Sequence, residues 1–288
     1  MQKFAAVVLL AISILGSKAR SHTSELCSGI FRKNNMRITA NQLIPTGITR
    51  EQYDGVLDKI ETLYKEEVAA EKGEILAVIR NWGDESVNAY AARSTIRRIL
   101  IFPGGLARHP QVTRDAFALV ACHEMGHHRG GAPLRTTKAW ASIEGQADYY
   151  ANLKCMRRFL ADEDNTIVLK DENLDILTKS ECESEFTDTN EQLICMRSVV
   201  AGKALSRMFR DLSSEDKTAD VATPDPLVVL KTSSAHPDTQ CRLDTYFNAA
   251  RCAVPVSEAV SNTSYQDGTC DKTKELNTGS RPRCWFLP

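Results

Sequence analysis

The stretch from Thr113 to His128 constrains this chain most. Phe117, Leu119 and Val120 are followed by His123 and His127, four positions apart, and Gly130-Gly131 and Pro133 come next. Thr113 is a helix-capping residue type, and the Gly-Gly-x-Pro run stops a helix, so the pattern predicts one helix from Thr113 to about His128. Residues at i and i+4 leave one face of an α-helix a turn apart. Both imidazoles therefore project together from a segment too apolar to lie on the surface, and the rest of the chain has to fold around it.

Two histidines at that spacing can take adjacent corners of a zinc tetrahedron. The residue after the first histidine is Glu124, which completes the segment His123-Glu124-Met125-Gly126-His127. Its carboxylate points beside the metal rather than at it, where it can take a proton from the attacking water and return it to a leaving amine. His128 falls on another face and reads as a surface or supporting residue. One zinc ion is the expected cofactor, with His123 and His127 as ligands and Glu124 as general base.

A third ligand is needed. In the three-histidine pattern H-E-x-x-H-x-x-G-x-x-H, Gly130 fits but Pro133 stands where the last histidine belongs, and proline cannot ligate. A glutamate from a following helix is the other solution, and Ala141-Ser142-Ile143-Glu144-Gly145-Gln146-Ala147-Asp148 supplies it. Glu144 and Asp148 share a helix face. The small residues Gly145 and Ala147 would let two helices approach until Glu144 reaches the metal. Asp148 can then accept an N–H from a ligand histidine and orient it.

Around this motif the chain reads as α+β. Thr49-Arg50-Glu51-Gln52 has the form of a capping box and opens an amphipathic helix that Gly73 ends. Glu74–Trp82, Ser86–Ala91 and Ile96–Phe102 read as strands. Helices are expected at 138–160, 191–212 and 237–250. The acidic stretch 162–190 reads as a loop-rich insertion or flap, and 253–288 as a cysteine-tied tail. The expected architecture is a small sheet packed on the motif helix with a mostly helical remainder. Trp82, Trp140 and Trp285 read as packing residues.

The start of the chain is different. Lys3, the apolar run Phe4 to Gly16 and Ser17-Lys18-Ala19 have the layout of a secretory signal peptide cleaved after Ala19. The run is short for a membrane span, so no transmembrane segment is expected in the mature protein. Lys plus Arg total 36 and Asp plus Glu 37, which leaves no basic excess for nucleic acid. Residues 20–47 form an N-terminal segment before the main domain, 48–252. Export to a periplasm or the cell exterior makes disulfides the default for the nine cysteines. None shows C-x-x-C spacing. Cys122, inside the motif helix, is taken as the unpaired one, and Cys182–Cys195, Cys241–Cys252 and Cys270–Cys284 as candidate pairs.

Three segments together resemble a known family. Glu144-Gly145-Gln146-Ala147-Asp148 is similar to the E-x-x-A-D element of the gluzincin metallopeptidases that include the CAAX prenyl endoprotease and the bacterial heat-shock membrane protease. Val87-Asn88-Ala89-Tyr90-Ala91 with Gly104-Gly105-Leu106 resembles that family's strand and the lead into its zinc helix. Ala235-His236-Pro237 with Arg242 resembles its C-terminal histidine-proline-arginine element. The resemblance spans residues 87–242, about half the chain. It implies a zincin-like domain and a polypeptide substrate that pairs with an edge strand at Asn88, Ala89 and Tyr90. It also implies that His236 helps bind the oxyanion of the tetrahedral intermediate and that Arg242 supports the site. This sequence departs from the family in two ways: only sixteen residues separate His127 from Glu144, and membrane spans are missing.

The expected function is thus a secreted zinc endopeptidase. A zinc hydrolase of non-peptide amides, such as cell-wall bonds, and a non-catalytic zinc-containing binding module are the alternatives. Intact Glu124 counts against the module, because a structural zinc site fills all four positions with protein ligands.

Overall fold

The computed structural model describes residues 25–41, 47–136, 139–213, 217–273 and 278–288. The expected signal peptide and its cleavage site lie outside the described residues.

The capping box at Thr49 forms as its residue types dictate. Thr49 Oγ1 accepts from Gln52 N, and the Gln52 side chain accepts from Thr49 N, opening α1 (Arg50–Ala70). The buried stripe Tyr53, Val56, Leu57, Ile60, Tyr64 and Val68 is the face its period predicts. Four strands form one sheet: β1 (Glu25–Leu26), β2 (Ile75–Asn81), β3 (Tyr90–Arg93) and β4 (Arg97–Pro103). Their order is β1-β3-β4-β2, with β2 parallel to β4 and the other pairs antiparallel. Beyond β4, the short α2 (Gly104–Ala107) leads to α3 (Arg114–Arg129), which carries the histidine pair. The main core fills the space between α1, the sheet and α3, where the Tyr53 and Phe117 rings stack 5.1 Å apart.

Several expectations change. The strand expected at Ser86–Ala91 is displaced to Tyr90–Arg93, and Asn88 lies before it. That strand is not an edge. Cys27 N donates to Ala91 O at 2.8 Å and Ile30 N to Ala89 O at 3.1 Å, so the N-terminal segment meets the backbone groups that an edge would leave open. The Asn88 side chain closes the same junction, accepting from Phe31 N and donating to Phe31 O.

The helix expected from 138 begins only at Glu144: α4 (Glu144–Tyr150) runs through a π-helical turn, Ala151–Met156, into α5 (Arg157–Leu160). Residues 139–143 stay extended because they are tied back to the motif helix, with Ser142 N donating to His127 O. At the crossing of α3 and α4, a Cβ on Gly126 would come within 2.7 Å of Ala147 O. Gly126, with Ala147, thus sets the helix approach. Gly145 faces the Trp285 ring instead, which a Cβ there would meet at 2.4 Å.

The acidic stretch is no flap. It holds a 3-10 turn (Asn165–Lys170) and α6 (Ile176–Glu185), which pack through Val168, Cys182 and Phe186 against α7 (Thr189–Ser213) and α8 (Thr239–Ala250). One of its acids is held from three sides: Glu163 accepts from Arg114, Lys59 and the buried Arg197. Residues beyond α8 likewise have a core, centred on a fully buried Trp285 whose Nε1–H donates to Thr245 Oγ1.

Cys122 is not the unpaired cysteine. It bridges to Cys155, and Cys27 is the free thiol, buried in the main core. Cys182–Cys195 forms as expected, but the tail pairs as Cys241–Cys284 and Cys252–Cys270. Sequence proximity misleads there because Trp285 folds the C-terminus back onto α8 beside Cys241. Four disulfides are present, and no helix among the described residues is long and apolar enough to cross a membrane.

Two expectations follow for stability. Cys122–Cys155 closes a loop across a sequence separation of 33 between α3 and the π turn, and its loss as Cys122→Ala/Cys155→Ala should cost about 2–4 kcal/mol, read from the urea midpoint. Burial opposes ionisation of Glu163, yet its bonds to Arg114 and Lys59 hold its carboxyl down at about 2. A depressed carboxylate contributes stability that is complete above its unfolded value, near 4.5, and lost as pH falls towards about 2. Thermal midpoints of wild type and Glu163→Gln should therefore differ at neutral pH and converge across that window.

Candidate metal centre

The site is assembled from α3, the start of α4, the segment before α8 and the N-terminal segment. Thr113 caps α3 by accepting from Ala116 N at 3.1 Å, and Ala116 to His128 are all buried. The i,i+4 spacing brings the His123 and His127 rings to 4.8 Å between centroids at an interplanar angle of 86°. Each outer nitrogen is fixed by a partner. His123 Nδ1–H donates to Asp148 Oδ1 at 2.7 Å, and His127 Nδ1–H to Ser142 O at 2.9 Å. Both Nε2 atoms consequently turn inward.

Glu144 comes to meet them. Its Oε2 lies 3.4 Å from His123 Nε2, 3.6 Å from His127 Nε2 and 3.4 Å from His236 Nε2. Beside them is Glu124, with ligand atoms of His123, Glu124 and His127 all within 4.8 Å of one another. Among the described residues, His123 Nε2, His127 Nε2, Glu144 Oε2 and both Glu124 oxygens are buried without a hydrogen-bond partner. Buried polar atoms are ordinarily satisfied, and leaving one bare costs about 1–3 kcal/mol. Two bare imidazole nitrogens within 3.6 Å of Glu144 Oε2, with the bare Glu124 carboxylate beside them, are what a cation-binding site with an adjacent base would leave. The donor set, two imidazole nitrogens and a carboxylate oxygen, suits zinc.

Asp148 anchors the arrangement. Besides His123 it accepts from Arg242 twice, Nε to Oδ2 at 2.8 Å and Nη2 to Oδ1 at 2.7 Å, and from the Tyr246 hydroxyl at 2.5 Å. Burial opposes its ionisation, but Arg242 and His123 hold the carboxyl down at about 2. Arg242, itself buried, stacks on Phe209 with 3.9 Å from guanidinium carbon to ring centroid. Burial pushes the Glu124 carboxyl up to about 8 and His127 down to about 4.

All the expected residues are accounted for. His123, Glu124, His127, Glu144 and His236 converge; Asp148 and Arg242 lie directly behind them. Asn88, Ala89 and Tyr90 border the site but are covered by the N-terminal segment, so they offer no open edge. His128 is not a surface residue: it is buried against Trp140, ring centroids 4.7 Å apart, and its Nε2–H donates to Ile99 O. Three participants were not foreseen. Ser142 acts through its backbone carbonyl, which no side-chain pattern reveals, and Tyr246 is one more aromatic on a helix. Ser28 donates from Oγ to Glu144 Oε1 at 2.8 Å across 116 residues of sequence.

Comparison with protein-family models, curated proteins and solved structures finds no match.

The Asp148 junction gives a direct test. Asp148→Asn leaves the Arg242 charge buried without its carboxylate, which should lower stability by about 3–5 kcal/mol in the metal-free protein. It also removes the acceptor that orients His123, which should weaken zinc affinity about 10–100-fold in a competition titration against a chromophoric chelator.

Proposed function

We propose that this chain is a zinc endopeptidase of the gluzincin type, with a zincin-like domain in which His123, His127 and Glu144 hold the metal and Glu124 is the base. One observation carries this reading. Three unpartnered donor atoms of metal-ligating type converge in a buried site, and an unpartnered carboxylate that is not needed as a ligand lies beside them.

Zinc bound there would polarise a scissile carbonyl and acidify a water molecule. Glu124 is placed to accept that water's proton and pass it to the leaving nitrogen. His236, whose Nε2–H already donates to a backbone carbonyl oxygen, is placed to donate to a substrate carbonyl as it gains negative charge. Arg242 and Asp148 keep His123 in the tautomer that presents Nε2. Four disulfides support an exported protein, and a polypeptide is the substrate class proposed.

A non-catalytic zinc module is the reading that burial favours: His123, Glu124 and His127 are 0% exposed and Glu144 is 2% exposed. Glu124 separates the two. A structural site gains nothing from a fully buried carboxylate with neither oxygen bonded, and such a group is expensive to keep.

Metal analysis should find one zinc per chain in wild type and in Glu124→Gln, and little in Glu144→Ala. With the N-terminal segment displaced, wild type should cleave casein, and Glu124→Gln should cleave it at least 100-fold more slowly. Full zinc in Glu144→Ala, or equal cleavage by Glu124→Gln, would count against these roles.

A further inference from the structure

The candidate centre is closed by one piece of chain. Residues 25–31 run along β3 in antiparallel register, Leu26 opposite Ala92, with Cys27 N bonded to Ala91 O and Ile30 N to Ala89 O. Between those two rungs the segment crosses the metal-site residues. Ser28 Oγ donates to Glu144 Oε1 at 2.8 Å, Gly29 O accepts from His236 Nε2 at 2.7 Å, and Ile30 O accepts from Arg242 Nη1 at 2.6 Å. A strand added to a sheet edge is how extended peptides are recognised: backbone bonds supply affinity, and groups near the cleft fix the reacting carbonyl. The segment satisfies the backbone groups of β3, the imidazole N–H proposed for the oxyanion and the buried guanidinium.

We infer that residues 25–31 are a built-in pseudosubstrate that occupies the peptide cleft, so that the folded chain is latent until this segment is displaced. The inference rests on the peptidase reading above. An incoming peptide would form the same antiparallel ladder on Ala91 and Arg93 and place its carbonyl where Gly29 O lies.

Displacement has a natural division. Ile30 and Phe31 are buried in the main core and anchor the segment, whereas Leu26 is 54% exposed and Ser28 is exposed. The part that has to leave is therefore residues 25–29. Gly29 is the point at which fit is tightest. Its φ is +86°, and a Cβ there would lie 2.7 Å from Asn88 Oδ1 and 2.8 Å from Tyr90 Cε1. A side chain at this position should expel the segment while touching none of the proposed zinc ligands. The free thiol, Cys27, travels with the segment. It is 3% exposed in the closed state while the other eight cysteines are in disulfides, so it reports displacement directly.

The experiment compares zinc-loaded full-length wild type with Gly29→Val in three measurements: maleimide labelling of Cys27, binding of a fluorescent synthetic peptide spanning Glu25–Phe31, and casein cleavage. Gly29→Val should label and bind at least 10-fold better than wild type and cleave at least 10-fold faster, with the peptide in trans inhibiting it. If Gly29→Val does not retain its thermal transition, Gly29→Ala, which brings the same Cβ to the same contacts with a smaller side chain, takes its place in all three measurements. Peptide binding by closed wild type as tight as by the opened protein overturns the inference, as does exposure of Cys27 with no gain in peptide binding. Opened protein that holds zinc and binds the peptide but cleaves nothing leaves the cleft assignment standing and sinks the peptidase reading instead.

Discussion

The Asp148 carboxylate is the junction on which the site depends. One oxygen receives His123, Arg242 and Tyr246, and the other receives Arg242 again. Those donors come from α3 and α8, while Asp148 itself is on α4, so a single buried ion pair sets how three helices meet. A carboxylate with no exposure and a guanidinium at 3% gain stability only where every remaining lone pair and proton is used. Here they are used. Arg242 spends its third nitrogen on Ile30 O, which extends the same junction to the N-terminal segment.

Close packing does the rest. Gly126 against Ala147 lets α3 and α4 cross at near-contact distance, and that crossing carries Glu144 to the imidazoles. Trp285 against Gly145 supports α4 from the opposite side, which gives the C-terminal residues a part in the site although they contribute no group to it. The Cys122–Cys155 bridge joins α3 to the π turn that continues α4. Site and scaffold are therefore the same set of contacts, and a change in the helix crossing would be felt at the atoms proposed to bind zinc.

The proposed closure and the proposed chemistry are compatible because residues 25–31 bear on both. The sheet without residues 25–31 would expose unpaired groups of β3, an arrangement that invites any extended chain to pair with it. The chain's own N-terminal residues answer that demand in the folded protein.

Much of the site was legible in the sequence because it depends on local geometry. The i,i+4 spacing of His123 and His127 forces the imidazoles together in any helix, Pro133 rules out a third histidine at its own position, and Glu144 with Asp148 share a face for the same reason as the histidines. The capping box at Thr49 and the buried stripe of α1 are equally local. What the sequence could not determine depends on contacts between distant residues. Disulfide partners follow from where Trp285 and the π turn bring the chain, and proximity in sequence pairs only Cys182 with Cys195 correctly. The strand at Tyr90–Arg93 carries no alternation that would mark it as edge or interior, and whether it stays open is decided by which segment comes back to cover it. The two histidines and Glu124 were set by periodicity along one helix, and Glu144 and Asp148 by the same spacing on another. The closing of their cleft by Ser28 and Gly29 was decided only by tertiary structure, because hydrogen bonds spanning 116 and 207 residues leave no local pattern.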